Sequence, residues 1–340
     1  MGADARVPHP KAPPEAAGLR RAMDRLALAV AVAMSAFQFY TAVTILYPPF
    51  IQRGIHLAFA MALGFLVYPA RPTAVGRAAS LLDLVLAAAG ATVGVYAAVS
   101  INDAGVLRVI NPTTWDMVIG TCGILLALEL TRRAAGLSLA LTALGFLLYA
   151  LFGDLLPGTL GHPGFAFKRL LGFVFLQEGG IFGTVLGTAA TFIFIFLLFG
   201  MFMMHLGGGE FFIDLARALF GTFRGASAKV AVFASALFAT ITGTGPANVA
   251  ATGMVTIPLM IRGGYDRTFT AAIEATASVG GNIMPPVMGA AAFIMADLLG
   301  VPYGQVAKAA LLPAIFYFVA LFILVDLEAA KKGLKGEPRR

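Results

Sequence analysis

Residues 227–261 read S-A-K-V-A-V-F-A-S-A-L-F-A-T-I-T (227–242), G-T-G (243–245) and P-A-N-V-A-A-T-G-M-V-T-I-P-L-M-I (246–261). Each apolar arm has 16 residues, and at 1.5 Å per residue that makes about 24 Å of helix against a hydrocarbon thickness of roughly 30 Å. Neither arm crosses a bilayer alone. Two short arms joined by three residues predict a re-entrant helical hairpin that enters and leaves on one side. Its tip, Thr242-Gly243-Thr244-Gly245-Pro246-Ala247-Asn248, is polar and interrupts helical hydrogen bonding, so at membrane depth it must face protein or a wet cavity. Pro246 suits the first turn of the second arm, where a missing N–H costs nothing.

A second interruption follows at 268–299, T-F-T-A-A-I-E-A-T-A-S-V-G-G-N-I-M-P-P-V-M-G-A-A-A-F-I-M-A-D-L-L. A continuous helix of this length overshoots the bilayer, and Gly280-Gly281 with Pro285-Pro286 breaks it near the middle. The reading is one discontinuous helix: Ser278, Gly280, Gly281 and Asn282 end the first half, and Pro286 opens the second. Half-helix C-termini present unpaired carbonyls that suit Na⁺, and N-termini present N–H groups that suit an anion. The expectation is a Na⁺ site near Thr242, Gly243, Gly245, Ser278 and Gly281. An anionic substrate is expected close by, with Thr244, Asn248, Gly280 and Asn282 in the same binding region. The competing reading, in which Gly and Pro merely kink ordinary spans, explains one break better than two adjacent ones flanked by Thr, Ser and Asn. Glu274 lies two turns into the first half, deep enough to need a partner or water, and is a secondary candidate with Pro246 and Pro286.

Outward from these segments the chain is 340 residues long, 59% hydrophobic and 12% charged, with mean hydropathy +0.87. That composition excludes a soluble enzyme and a disordered scaffold, and the single Cys122 excludes a disulfide framework. The predicted class is an all-α polytopic membrane protein. Apolar runs fall near 26–47, 55–69, 81–101, 117–131, 136–152, 181–205 and 307–326. With a cytoplasmic N-terminus and a hairpin that returns to its own side, all Lys and Arg fall inside except Arg53, Arg108, Lys168, Arg169 and Lys308, a strong positive-inside bias. The net charge of +7 is therefore topology information and does not call for a nucleic-acid partner. Residues 1–25 read as a cytoplasmic tail and 331–340 as a basic cytoplasmic tail. The first run is longer than the roughly 7–15 residues of a signal-peptide core, so it reads as an anchor.

Two amphipathic stretches, 165–180 and 210–220, read as interfacial helices. Glu129 is placed to pair locally with Arg132 and Arg133, and Asp83 and Asp326 read as interfacial. His56 and His205 flank spans on opposite sides. With no H-E-x-x-H, no Cys/His cluster and no nucleophile–base pair, no enzyme is expected, and no cofactor beyond Na⁺ as coupling ion.

Three stretches carry a family resemblance: G-E-F-F-I-D-L-A (209–216), P-A-N-V-A-A-T-G-M-V-T-I-P-L-M (246–260) and A-S-V-G-G-N-I-M-P-P-V-M-G-A-A-A-F-I-M-A (277–296). Together they strongly resemble the fused membrane component of tripartite ATP-independent periplasmic (TRAP) transporters, of the type served by TAXI-class binding proteins. Residues 26–152 are similar to the small-subunit-like scaffold helices of the fusion. Residues 153–180 connect, and 181–330 resemble the first repeat of the large permease subunit. The resemblance implies a multi-pass protein of the bacterial inner membrane that imports small organic acids with Na⁺. A periplasmic TAXI-type binding protein delivers the substrate, and an elevator motion carries the hairpin and broken helix. The tip reads T-G-T-G-P-A-N where a Ser-Gly-Ser-Ala type is common, and Asn282 stands where Gln is usual. One hairpin and one broken helix make half of an inverted repeat. The expectation is therefore an elevator-type transporter half that needs a polypeptide carrying the second repeat, the alternative being a transport-inactive scaffold or truncated remnant that docks a binding protein. No Arg falls in any apolar run, so a carboxylate-clamping Arg is expected from the second half.

Overall fold

The computed structural model describes residues 14–70, 77–101 and 106–336, and every regular element among them is helical. Among the described residues, seven helical stretches are long and apolar enough to cross a membrane: Arg20–Val43, Pro49–Val67, Leu81–Ile101, Thr114–Ala134, Leu137–Leu155, Thr184–His205 and Tyr303–Lys331. They coincide with the seven uninterrupted apolar runs of the sequence. The chain divides into two compact units, Met1–Ala190 and Thr191–Arg340. That boundary falls within the stretch 184–205, slightly later than residue 181, where the permease-like part begins by resemblance.

The first unit contains α1 (Pro14–Val43), α2 (Pro49–Val67), α3 (Arg77–Tyr96, continued by a π-helical turn Ala97–Ile101), α4 (Val106–Ile110), α5 (Thr114–Ala134), α6 (Leu137–Phe152), α7 (Phe167–Leu176) and α8 (Thr184–Thr188). Helix α1 starts at Pro14, so it takes in the second half of the stretch read as a tail; residues 1–13 lie outside the described ones. Met61, Phe65, Val93, Leu171, Phe175 and Phe182 fill its core. Helices α2 and α3 meet backbone to backbone. A Cβ on Gly94 would lie 2.4 Å from the Ala58 nitrogen, and one on Gly54 would lie 2.7 Å from the Gly94 carbonyl oxygen. In lipid, where apolar burial drives little, small residues that permit such approach hold helices together.

Charges also enter these helices, which corrects two expectations. Asp83 is buried, not interfacial: its carboxylate takes the Arg133 guanidinium at 2.7 Å, and both side chains are 2% exposed. Arg53 belongs to α2, and Arg132 and Arg133 belong to α5, so Arg does occur within apolar helices. All three are engaged: Arg53 with Glu178 at 2.9 Å, and Arg132 and Arg133 with Glu129 at 2.8 and 2.7 Å, the local pairing expected for Glu129.

After a π-helical turn (Ala189–Ile193), the second unit contains α9 (Phe194–His205), α10 (Gly208–Phe220), α11 (Ala226–Thr242), α12 (Gly245–Arg262), α13 (Arg267–Gly280), a 3₁₀ turn (Gly281–Ile283), α14 (Ala290–Leu299) and α15 (Tyr303–Lys331). The last helix is therefore longer than the apolar run 307–326 at both ends and takes Lys331 from the tail. Helices α11 and α12 pack along each other as a helical hairpin, and α11 is buried over most of its length by its Ala-rich faces.

At the open end of the hairpin, Tyr265 is buried and its hydroxyl donates to the carbonyls of Val325 at 3.0 Å and Gly225 at 3.5 Å. Lys229 reaches Asp326 at 2.7 Å, Arg224 binds the same carboxylate, and Lys332 holds Asp266 at 2.7 Å. Both ends of the hairpin thus meet at the end of α15. Tyr265→Phe keeps the packing and removes only the donor, so a loss of about 1 kcal/mol in the unfolding free energy of this unit is expected. A denaturant titration in detergent micelles measures it, and an unchanged midpoint counts against the hydroxyl as a clasp.

Candidate functional site

The tip of the hairpin sits on the break of the discontinuous helix. Gly243 caps α11 at φ +62°, a left-handed conformation that costs other residues strain. A Cβ there would also lie 2.4 Å from the Met288 carbonyl oxygen. A Cβ on Gly289 would lie 3.2 Å from the Gly243 oxygen and 3.3 Å from Asn282 Cβ. A Cβ on Gly281 would come within 1.7 Å of Ala239 Cβ, and one on Gly245 within 3.0 Å of Val279 Cγ2. Glycine is what lets two backbones share this place, and it brings Thr242, Gly243, Gly245, Gly281 and Asn282 into one neighbourhood. Thr244 is the exposed N-cap residue of α12, and Pro246 stands in its first turn, as expected. Gly280 ends α13, packed against Tyr317 and Phe318.

Two side-chain oxygens at the tip and the break, Thr242 Oγ1 and Asn282 Oδ1, are buried with no hydrogen-bond partner, and so is Asn248 Oδ1 one turn into α12. Buried acceptors are ordinarily satisfied. Neutral oxygens left over at helix ends are the donor set that a hard monovalent cation takes up.

The break itself differs from its sequence reading. Gly281–Ile283 forms a 3₁₀ turn, and the backbone then runs without regular helix until α14 starts at Ala290, with Gly289 as its N-cap. Pro286 therefore lies inside the break, four residues short of the helix it was expected to open. Consecutive prolines lack the N–H groups that a helix start can spare at only one or two positions, and a bond from Gly289 N to Asn282 O at 2.8 Å closes the loop instead.

Ser278 lies at the end of the first half, as read, buried in the last turn of α13. There it joins a polar cluster built on Glu274, which is 1% exposed. Thr252 Oγ1 donates to Glu274 Oε1 and Thr256 Oγ1 to Oε2, both at 2.6 Å. Ser235 and Ser278 hydroxyls approach Oε1 at 3.4 Å each and one another at 3.1 Å. Asn248, fully buried, donates from Nδ2 to the Ser235 carbonyl and hydroxyl at 3.0 Å, which ties the two arms of the hairpin together. The basic side chains with ion pairs in this unit, among the described residues, are engaged elsewhere: Arg224 and Lys229 with Asp326, Arg217 with Asp214, Lys331 with Glu328 and Lys332 with Asp266. An ionised carboxylate buried without a cation costs several kcal/mol, and hydroxyl donors return only part of it.

Ser235, Thr252 and Thr256 belong to this cluster and are absent from the sequence-derived set. The signal for the two threonines is a spacing of four. Asn248, Thr252 and Thr256 form one polar stripe along α12, and Thr270, Glu274 and Ser278 form one along α13. Residues four apart share a helix face, and two polar faces in apolar helices must meet each other.

Comparison with known proteins agrees with this architecture. Residues 122–340 match the family model described as the tripartite ATP-independent periplasmic transporter, DctM component. The chain is 35% identical over 144 residues to the C4-dicarboxylate TRAP transporter large permease protein DctM of Pseudomonas aeruginosa, covering 42% of this chain and 33% of the relative. It is 32% identical over 144 residues to the isethionate TRAP transporter permease protein DctMQ of Oleidesulfovibrio alaskensis, covering 42% and 22%. It is also 31% identical over 164 residues to a C4-dicarboxylate TRAP transporter large permease protein DctM of Rhodobacter capsulatus, covering 48% and 33%. The chain thus spans a third or less of the length of these relatives. A match over more than half of the chain shows that the chain belongs to the DctM component family of tripartite ATP-independent periplasmic transporters.

Proposed function

We propose that this chain is a membrane component of a Na⁺-coupled secondary transporter that imports small organic acids delivered by a periplasmic binding protein of TAXI type. It resides in the bacterial inner membrane with its N-terminus in the cytoplasm, the orientation that the positive-inside bias favours. The hairpin is re-entrant and works with a second permease repeat. Hairpin and broken helix move together in an elevator motion, which fits their mutual close packing. The observation that carries the reading is the meeting of hairpin tip and helix break through glycine backbone, with two buried, unpaired oxygens beside it, Thr242 Oγ1 and Asn282 Oδ1, and a third, Asn248 Oδ1, one turn into α12. With the carbonyl ends of α11 and α13 they offer Na⁺ a shell of neutral oxygens. The N-terminus of α12 offers an anion N–H groups and the positive end of a dipole. Relatives named for C4-dicarboxylates and isethionate support a small organic anion as the substrate class.

Thr242→Val separates this reading from a structural one, because the two expect opposite signs. Removing an unpaired buried hydroxyl stabilises a protein in which the group has no role. Removing a Na⁺ ligand raises the Na⁺ concentration for half-maximal uptake, by about tenfold for about 1.4 kcal/mol of lost binding. The measurement is substrate uptake against Na⁺ in cells producing the chain with its partner polypeptides. An unchanged Na⁺ dependence in both Thr242→Val and Asn282→Ala removes the assignment.

A further inference from the structure

The loop that interrupts the discontinuous helix is held by a residue outside the tip. Between the 3₁₀ turn and α14 its backbone has no helical ladder to satisfy it. Two of its carbonyls, those of Pro286 and Val287, accept from the hydroxyl of Tyr303, at 3.0 Å for Pro286. A tyrosine hydroxyl has one proton, so the two carbonyls share it. Tyr303 opens α15, and its ring lies flat on Phe293 of α14, with centroids 4.3 Å apart and planes 6° apart. Phe293 is buried and meets the rings of Phe192 and Phe196 at 5.9 and 5.3 Å. A ring packed on such a surface has little room to swing, and its hydroxyl is aimed.

The next residue along the loop, Met288, stands at φ +58° and is buried. A left-handed conformation is costly for a residue with a Cβ and persists only where the surroundings enforce it. Here it divides two sets of contacts. The carbonyls before it go to Tyr303, whereas its own carbonyl oxygen lies against the hairpin, 2.4 Å from where a Cβ on Gly243 would stand. Gly289 follows. Its N–H donates to Asn282 O at 2.8 Å, and a Cβ on it would lie 3.5 Å from Asn282 Cγ. Met288 and Gly289 thus form a wall against Gly243 and against the Asn282 carboxamide, whose Oδ1 is unpaired.

We propose that Tyr303 is a positioning residue for the site at the hairpin tip. Its hydroxyl keeps the carbonyls of Pro286 and Val287 turned toward α15, which holds the left-handed turn at Met288 and sets the Met288–Gly289 backbone against Gly243 and Asn282. With its proton committed to these carbonyls, the hydroxyl acts through them and is not itself a ligand. This role rests on the reading of tip and break as a Na⁺ site, and it adds what fixes the spacing of the oxygens there. Fixed spacing is what lets a shell of oxygens prefer one cation over another.

Titration calorimetry of the purified full-length chain in lipid nanodiscs, with NaCl and separately with LiCl in choline chloride, tests this without transport. Tyr303→Phe keeps the ring and its stack and removes only the donor. The expected result is Na⁺ binding weakened by about fivefold, the equivalent of one neutral hydrogen bond, together with a lower ratio of Na⁺ to Li⁺ affinity. A protein that is merely loosened loses both cations in proportion, so an unchanged ratio overturns the role. Equal Na⁺ affinity in wild type and Tyr303→Phe overturns it too and leaves the ion site standing. A wild type that binds no Na⁺ removes the ion site, and this role with it. If Tyr303→Phe fails to fold, Phe293→Leu keeps the hydroxyl and removes the ring that aims it. The same fall in affinity and in the ratio is expected there, and no change in either overturns the role.

Discussion

Arg133→Ala is expected to cost about 3–5 kcal/mol in the stability of the first unit, because it strands a buried carboxylate. The guanidinium bonds Asp83 at 2.7 Å, Glu129 at 2.7 Å and the Tyr68 carbonyl at 3.1 Å. It also lies 5.0 Å from the centre of the Phe65 ring, joining α2, α3 and α5 through one side chain. Without it, Asp83 keeps, among the described residues, the backbone donor Ala70 N at 3.2 Å and no cation. The double change Arg133→Ala with Asp83→Ala should lose much less than the sum of the two single changes, since neither partner is then left charged and unpaired. Denaturant titration of the purified chain in mixed micelles measures the cycle. Strict additivity in that cycle excludes the pair as the source of the effect.

Gly281→Ala is expected to be comparably severe for the second unit. Residue 281 has an ordinary right-handed helical conformation, φ −64°, so the cost is steric alone. The new methyl group would lie 1.7 Å from Ala239 Cβ and 2.7 Å from Ala239 Cα, so either the hairpin or the break must move. Overpacking costs about 1–3 kcal/mol, and more where backbone blocks the way. The expected outcome is protease cleavage near the hairpin tip under conditions that leave the wild type intact. Gly304→Ala is the control: nothing lies within 4 Å of its position in α15, and alanine favours helix. Ala239→Gly combined with Gly281→Ala should recover part of the loss. Equal resistance of all four proteins to protease would sink the account of close approach.

The parts of this architecture governed by length and periodicity are legible in the chain. Arms too short to span, joined by Gly-Thr-Gly, can hardly do anything except turn back, and a long apolar stretch with Gly-Gly and Pro-Pro has to break. The details lost are those set by contact. Pro286 marks the break correctly, but the next helix begins at Ala290, because the hydrogen bond from Gly289 to Asn282 decides where the backbone becomes helical again. Ser278 and Asn248 look like tip residues by proximity in sequence. In space they face inward on their helices, toward Glu274 and Ser235, because a turn of helix separates them from the loop. Asp83 reads as interfacial because its partner, Arg133, is fifty residues away and no local pattern connects them. The stripes at 248, 252 and 256 and at 270, 274 and 278 were available in the letters, but each is informative only once the two are seen to face one another.

The hairpin is fastened by different forces along its length. Tyr265, Lys229, Arg224 and Asp326 bind its mouth to α15 through hydrogen bonds and ion pairs, hydroxyls bind its middle to Glu274, and its tip meets the break through glycine backbone at contact distance. With 17 residues in α11, mouth and tip are about 25 Å apart. That is well beyond a Debye length of about 8 Å, so the charges at the mouth fix the hairpin in place while leaving whatever binds at the tip to neutral oxygens and backbone.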